Sequence, residues 1–138
     1  MTKGSKRASF VAVADRLGEA IRARSIERID TVFADDIAVW HNHSNSSQTK
    51  TENMAVLARL FDFTAGMRYA NVRRIITGAG FVEQHDLVFD FSDGRTVALP
   101  ICMVAAVRDD QIVRLEEYLD PRPLLDALPP GFLHGGDH

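Results

Sequence analysis

The sequence predicts an α+β fold in which helices come first and a twisted sheet then curls around them. Three observations point to it. Apolar residues recur at spacings of three and four over the first part of the chain, and from Met67 onward they fall in extended runs. Very short turns join those runs. Short turns force neighbouring strands to run antiparallel, and a twisted sheet closing over helices buries the apolar side of both. At 138 residues the chain fits one domain with a core of its own, without disulfide or metal staples.

The first helix is expected from Ser9 to Arg24. Phe10, Val13, Ala14, Leu17, Ala20 and Ile21 form its apolar stripe, with Asp15, Arg16, Glu19 and Arg22 between them. Ser25 then caps a shorter helix that ends near Ala34, with Glu27 in its positive first turn and Ile26, Ile29, Val32 and Phe33 facing inward. Asp35 and Asp36 read as a solvated break, Ile37, Val39 and Trp40 as a short strand, and His41 to Gln48 as a polar loop. Thr51 and Glu52 open a third helix carrying Met54, Leu57, Leu60 and Phe61, and Gly66 is placed to end it in a left-handed conformation.

Four strands follow: Met67 to Ile76, Phe81 to Phe91, Thr96 to Val107 and Gln111 to Leu119. Gly78-Ala79-Gly80, Asp93-Gly94 and Asp109-Asp110 separate them. Beyond Asp120 a short apolar turn carries Leu124, Leu125 and Leu128. The single domain is expected over 1–130, with 131–138 as a flexible tail.

Composition narrows the function. A net charge of -3 with scattered basic residues offers no concentrated face for a phosphate backbone, so nucleic acid is not an expected partner. Asp15 and Arg16 interrupt the apolar run from Phe10 to Leu17. No signal or membrane-spanning segment is expected, and a cytoplasmic location follows. Cys102 is the single cysteine and cannot form an internal disulfide. His41-x-His43 together with His85 lacks a carboxylate or cysteine at supporting spacing, so neither a metal nor another cofactor is expected.

Strand alternation selects the candidate site. In the last strand Val113, Leu115, Glu117 and Leu119 share one face, which sets a carboxylate on an apolar stripe. Desolvation there would raise its pKa toward the range of general acid-base work, while a structural hydrogen-bonding role fits the same position. Between Phe81 and Phe91 the odd positions are the more apolar, which puts His85 on the inner wall beside Leu87 and Phe89. The strand from Val97 to Val107 is apolar on both faces. Helices cover only one, so a second copy of the chain is expected over Cys102, Val104 and Ala106. Trp40, His41, Asn42 and His43 form the densest polar-aromatic cluster and read as the mouth of a pocket.

Three segments, Phe33-Ala-Asp-Asp-Ile-Ala-Val-Trp40, Asp93-Gly-Arg95 and Ile112-Val-Arg-Leu-Glu-Glu-Tyr-Leu-Asp120, resemble the nuclear transport factor 2-like (NTF2-like) superfamily. Ketosteroid isomerases, limonene epoxide hydrolases and SnoaL-type polyketide cyclases belong to it. The resemblance covers about Phe10 to Leu128. It implies a cone-shaped α+β barrel of cystatin-like type, with three N-terminal helices packed in a strongly curved, mixed but mainly antiparallel sheet around an apolar pocket. It also implies frequent dimers.

Beside the epoxide hydrolases, Glu117 resembles the carboxylate that activates water, and Trp40 and Asn42 resemble the residues that hold it. Their Arg-x-Asp pair corresponds here to His85-x-Leu87, so the acid that protonates the epoxide is missing from that position. Beside the isomerases, His41 stands in the place of the proton-shuttling Asp and Leu17 in that of the oxyanion-hole Tyr, so steroid isomerisation is not supported. What remains is a SnoaL-like, cofactor-free enzyme of isomerase, cyclase or hydrolase type acting on a small apolar or polyketide-like molecule. His85 and Glu117 would be its acid-base pair. Trp40, His41, Asn42, Tyr69, Leu87, Leu99, Ile101, Met103 and Leu115 would bind the substrate. The competing class is a noncatalytic ligand-binding or protein-interaction module on the same fold.

Overall fold

The computed structural model describes residues 3–133. Helix α1 (Lys3–Ala23) carries the apolar stripe, with Phe10, Val13, Ala14, Leu17, Ala20 and Ile21 all buried. In α2 (Ile26–Val32) the Ser25 hydroxyl accepts from the Arg28 amide and caps the helix. Helix α3 (Lys50–Phe63) opens on a capping box rather than at Thr51: Thr49 Oγ1 accepts from the Glu52 amide, and Glu52 Oε1 accepts from the Thr49 amide. Its far end differs from expectation too. Thr64 is extended, and Gly66 takes no left-handed turn but begins a strand. The Arg24 guanidinium donates to the carbonyls of Phe61 and Thr64, so α3 ends without a glycine cap.

Six strands form one open mixed sheet: β1 (Phe33–His41), β2 (Ser46–Gln48), β3 (Gly66–Ile76), β4 (Gly80–Asp90), β5 (Thr96–Arg108) and β6 (Gln111–Tyr118). Their order is β2-β1-β6-β5-β4-β3, and every neighbouring pair is antiparallel except β1 and β6. This is the expected α+β cone, with β2 and β3 left as edges. The segment read as a break at Asp35-Asp36 lies inside β1, where a register shift between Phe33 and Ala38 leaves both aspartates exposed. Ser46–Gln48, read as loop, pairs with the end of β1 instead.

Turns and bulges set the curvature. Asp109 and Asp110 both adopt positive φ, 52° and 61°, as a two-residue hairpin of the primed type requires. Ser9 Oγ hydrogen-bonds to the Asp110 carboxylate and Arg16 to its carbonyl, which fastens this turn to α1. At Gly80 a Cβ would sit 2.1 Å from the Ala105 carbonyl oxygen, so only glycine allows β4 to start against β5. A register shift at Ala106/Val107 bulges β6 at Val113. The buried stripe of β6 is therefore Ile112 and Leu115, leading to Glu117, and Val113 leaves it.

The expected apolar turn after Asp120 is a short helix, α4 (Arg122–Ala127), with Leu124 and Leu128 buried. Phe132 and Leu133 pack against the core, and the Phe132 ring lies 4.8 Å from that of Phe63. The rest of the expected tail, 134–138, falls outside the described residues.

Candidate functional site

Strand register brings the site's polar groups into one row on the inner face. His41 on β1 stands opposite Glu117 on β6, Glu117 opposite Met103 on β5, Met103 opposite Glu83 on β4, and Glu83 opposite Arg74 on β3. The two carboxylates are thus two strand spacings apart, roughly 10 Å along the sheet. Both would be costly among apolar neighbours if left alone.

Each has partners. Glu83 is completely buried; Arg74 Nε donates to its Oε1 over 2.9 Å, while Arg74 Nη1 reaches Asp15 of α1 over another 2.9 Å. Burial disfavours the Arg74 charge, but the hydrogen bonds to Glu83 and Asp15 outweigh it and raise the pKa of the guanidinium. The second Glu83 oxygen lies 2.6 Å from His85 Nδ1. His85 has a fully buried side chain, and among the described residues its Nε2 has no hydrogen-bond partner. The Tyr69 ring stacks on it, centroids 3.7 Å apart and planes 16° from parallel. Burial raises the Tyr69 pKa well above the usual phenol value, and the charges of Glu117 and Glu83 add to that. The phenol therefore remains a proton donor within the electrostatic reach of both carboxylates.

At the other end of the row Glu117 Oε1 lies 3.3 Å from His41 Nε2, with both side chains slightly exposed. The His43 ring is 5.4 Å from that of His41. Burial lowers the His43 pKa, the neighbouring His41 charge lowers it further, and Glu117 opposes them. Among the described residues no group of three or more His, Cys, Asp or Glu is placed to hold a metal ion.

The remaining expected site residues separate. Leu99, Met103 and Leu115 are packed into the core at 3% exposure or less; Ile101 is buried beside them and Leu87 is half-buried. Trp40 was expected on the pocket wall and instead lies on the outer face. Val39 is wholly buried, which fixes the odd positions of β1 as the inner set, so His41 faces in and Trp40 faces out. There the indole meets Tyr118 edge-on at 5.3 Å and donates to Asn45 Oδ1. Asn42 stitches strand ends together: its amide donates to the Glu117 carbonyl, and its Oδ1 accepts from the Leu119 amide.

Two surface clefts flank this arrangement. One, about 630 Å³, is lined by Asn71, Arg73, Gln84, Asp86, Cys102 and Tyr118 on the outer face and touches His85 and Ile101. The other, about 230 Å³, opens between α1 and β3 over Asp15, Gly18, Tyr69 and Arg74. Neither of these two is lined by Glu117. Glu83, Arg74 and Asp15 were not singled out from the sequence. The signal for Glu83 was present, because a carboxylate two positions from an inward histidine on a strand shares its face. Arg74 was hidden by the register shift between Ala70 and Arg73, which moves it onto the inner face.

The fold defines a protein of the NTF2-like class. A family model described as a SnoaL-like domain matches residues 14–115, and the chain belongs to that family. Solved structures agree on the fold. An LEH-like epoxide hydrolase from M. tuberculosis superposes with a TM-score of 0.72 at 17% identity, covering 89% of this chain and 91% of its own. A protein from Catenulispora acidiphila with a ketosteroid isomerase-like fold, in complex with trimethylamine, gives 0.71 at 14%, covering 85% and 93%. IdmH from Streptomyces antibioticus, described as a candidate polyketide cyclase, gives 0.71 at 16%, covering 85% and 96%. No curated protein matches the sequence. Among the described residues no helix is long and apolar enough to cross a membrane.

Proposed function

We propose that the protein is a cofactor-free acid-base enzyme of isomerase, cyclase or hydrolase type, acting on a small apolar or polyketide-like molecule at the inner face. His85 and Glu117 exchange protons with the substrate, and Tyr69 donates a hydrogen bond between them. The observation that carries the reading is His85: fully buried, clamped at Nδ1 by Glu83, stacked on Tyr69, and left at Nε2 without a partner among the described residues. A buried polar atom without a partner costs about 1–3 kcal/mol, and groups kept in so costly a state cluster at functional sites. His41 belongs to this reading as the group that holds Glu117 in place.

A panel of small aromatic ketones, epoxides and polyphenolic esters tests it, with binding read by ligand-observed NMR and conversion by mass spectrometry. Turnover is expected for at least one class. Glu117→Gln should lower it by about 10²–10⁴-fold with the circular dichroism spectrum unchanged. Binding without conversion, insensitive to Glu117→Gln, would make the protein a ligand-binding module. That second reading has its own support, since neither of the two clefts joins Glu117 to His85.

The same proposal places a second copy of the chain on the outer sheet face. Val104 and Ala106 are half-buried there and Ile75 and Tyr118 are 70% and 45% exposed, and exposed apolar side chains of this kind favour self-association.

A further inference from the structure

We infer that Glu83 is a positioning residue that fixes the His85 ring in its Nδ1–H tautomer and turns the lone pair of Nε2 toward the substrate. The inference rests on the acid-base reading of the site and adds to it a residue, a tautomer and the class of group His85 accepts. A carboxylate oxygen 2.6 Å from Nδ1 leaves little choice: the ring nitrogen donates, because the carboxylate accepts. Glu83 has no freedom to turn away. Its other oxygen is held by Arg74 Nε at 2.9 Å, and Arg74 is itself anchored to Asp15 on α1.

Asp15, Arg74, Glu83 and His85 thus form one chain running from the helix surface to a fully buried imidazole, and Tyr69 fixes the plane of that ring from the side. A base oriented by a third group is the general arrangement by which an imidazole is aimed at one atom. The group it accepts is an O–H or an acidic C–H. That bond breaks, its electron pair stays on the substrate, and the proton passes to Nε2. The imidazolium so formed keeps its charge beside the Glu83 carboxylate.

Nitrogen-15 NMR of the histidine rings at mildly alkaline pH tests this without a substrate. Wild-type His85 should show a protonated Nδ1, with its proton far downfield as a short charge-assisted bond requires, and an unprotonated Nε2. Glu83→Gln has a single acceptor oxygen, which the donor-only Arg74 guanidinium claims, so its NH2 group turns to Nδ1 and the ring should switch to the Nε2–H tautomer and lose the downfield proton. Glu83→Met keeps the length without an acceptor and should lose the Nδ1–H tautomer. An Nε2–H or doubly protonated ring in the wild type overturns the inference, as does an unchanged tautomer in Glu83→Met. Should Glu83→Met fail to fold, the wild-type and Glu83→Gln spectra decide. Because the tautomer is read without turnover, a panel that yields no product would count against the enzyme reading alone.

Discussion

At Glu83 a single carboxylate shows how a sheet tolerates a charge in its core. It is wholly buried and engages a guanidinium and an imidazole at once, so removing one partner leaves a buried charge half-compensated. Arg74→Leu is expected to cost about 3 kcal/mol in urea unfolding. Asp15→Asn should cost less than about 1 kcal/mol, because Asp15 is 55% exposed and its end of the chain is screened. Equal losses for the two would contradict the burial argument. His43 gives a pH dependence of defined sign. Its folded-state pKa lies below the ordinary 6.5, so the unfolded chain binds the proton more readily. The stability it contributes is complete above about pH 6.5 and is lost as the pH falls below that value, and His43→Asn should therefore lose less stability than the wild type between pH 7 and pH 5. Alternation made His85 and Glu117 legible in the sequence. Which side of β1 faces inward was not legible, because Trp40 and His41 both look inward by composition, and the decision came from Val39 and the parallel partner β6.

Among the elements, the four long strands were legible to within one residue at each end, whereas α1 begins at Lys3 rather than Ser9 and the bulges within the strands were not legible. Helical periodicity survives in α1 and α3 because their stripes face one continuous core, whereas the bulges in β1, β3 and β6 depend on partner strands that a local pattern does not contain. The same limit hid the start of α3, where two threonines compete for the cap and reciprocity with Glu52 selects Thr49. Thr49→Ala should lower stability by about 1 kcal/mol, measured by thermal or chemical unfolding, with Thr51→Ala close to neutral. Gly80→Ala should be far more damaging than either. Its Cβ would lie 2.1 Å from a backbone oxygen in the neighbouring strand, which cannot give way as a side chain could, and a soluble variant of near wild-type stability would show that the strand crossing is looser than described.

For the whole molecule, one sheet serves two faces. Inside, it sets His41, Glu117, Glu83 and Arg74 in a row whose Glu83–Arg74 end lies against α1, with His85 and Tyr69 alongside; outside, it presents Trp40, Tyr118, Val104 and Ile75. The doubly apolar β5 was the sequence's clue to the second face. If that face pairs copies of the chain, sedimentation should give a dimer that Val104→Asp reduces to monomer, and a wild-type monomer at high concentration would remove the interface. The inner face is tested most directly by chemical-shift mapping of isotope-labelled protein with the tightest binder from the ligand panel. The proposed site predicts that the largest changes fall on His85, Tyr69 and Glu117 and that Glu117→Gln alters them. Changes confined to Gln84, Cys102 and Tyr118 on the outer cleft would contradict it.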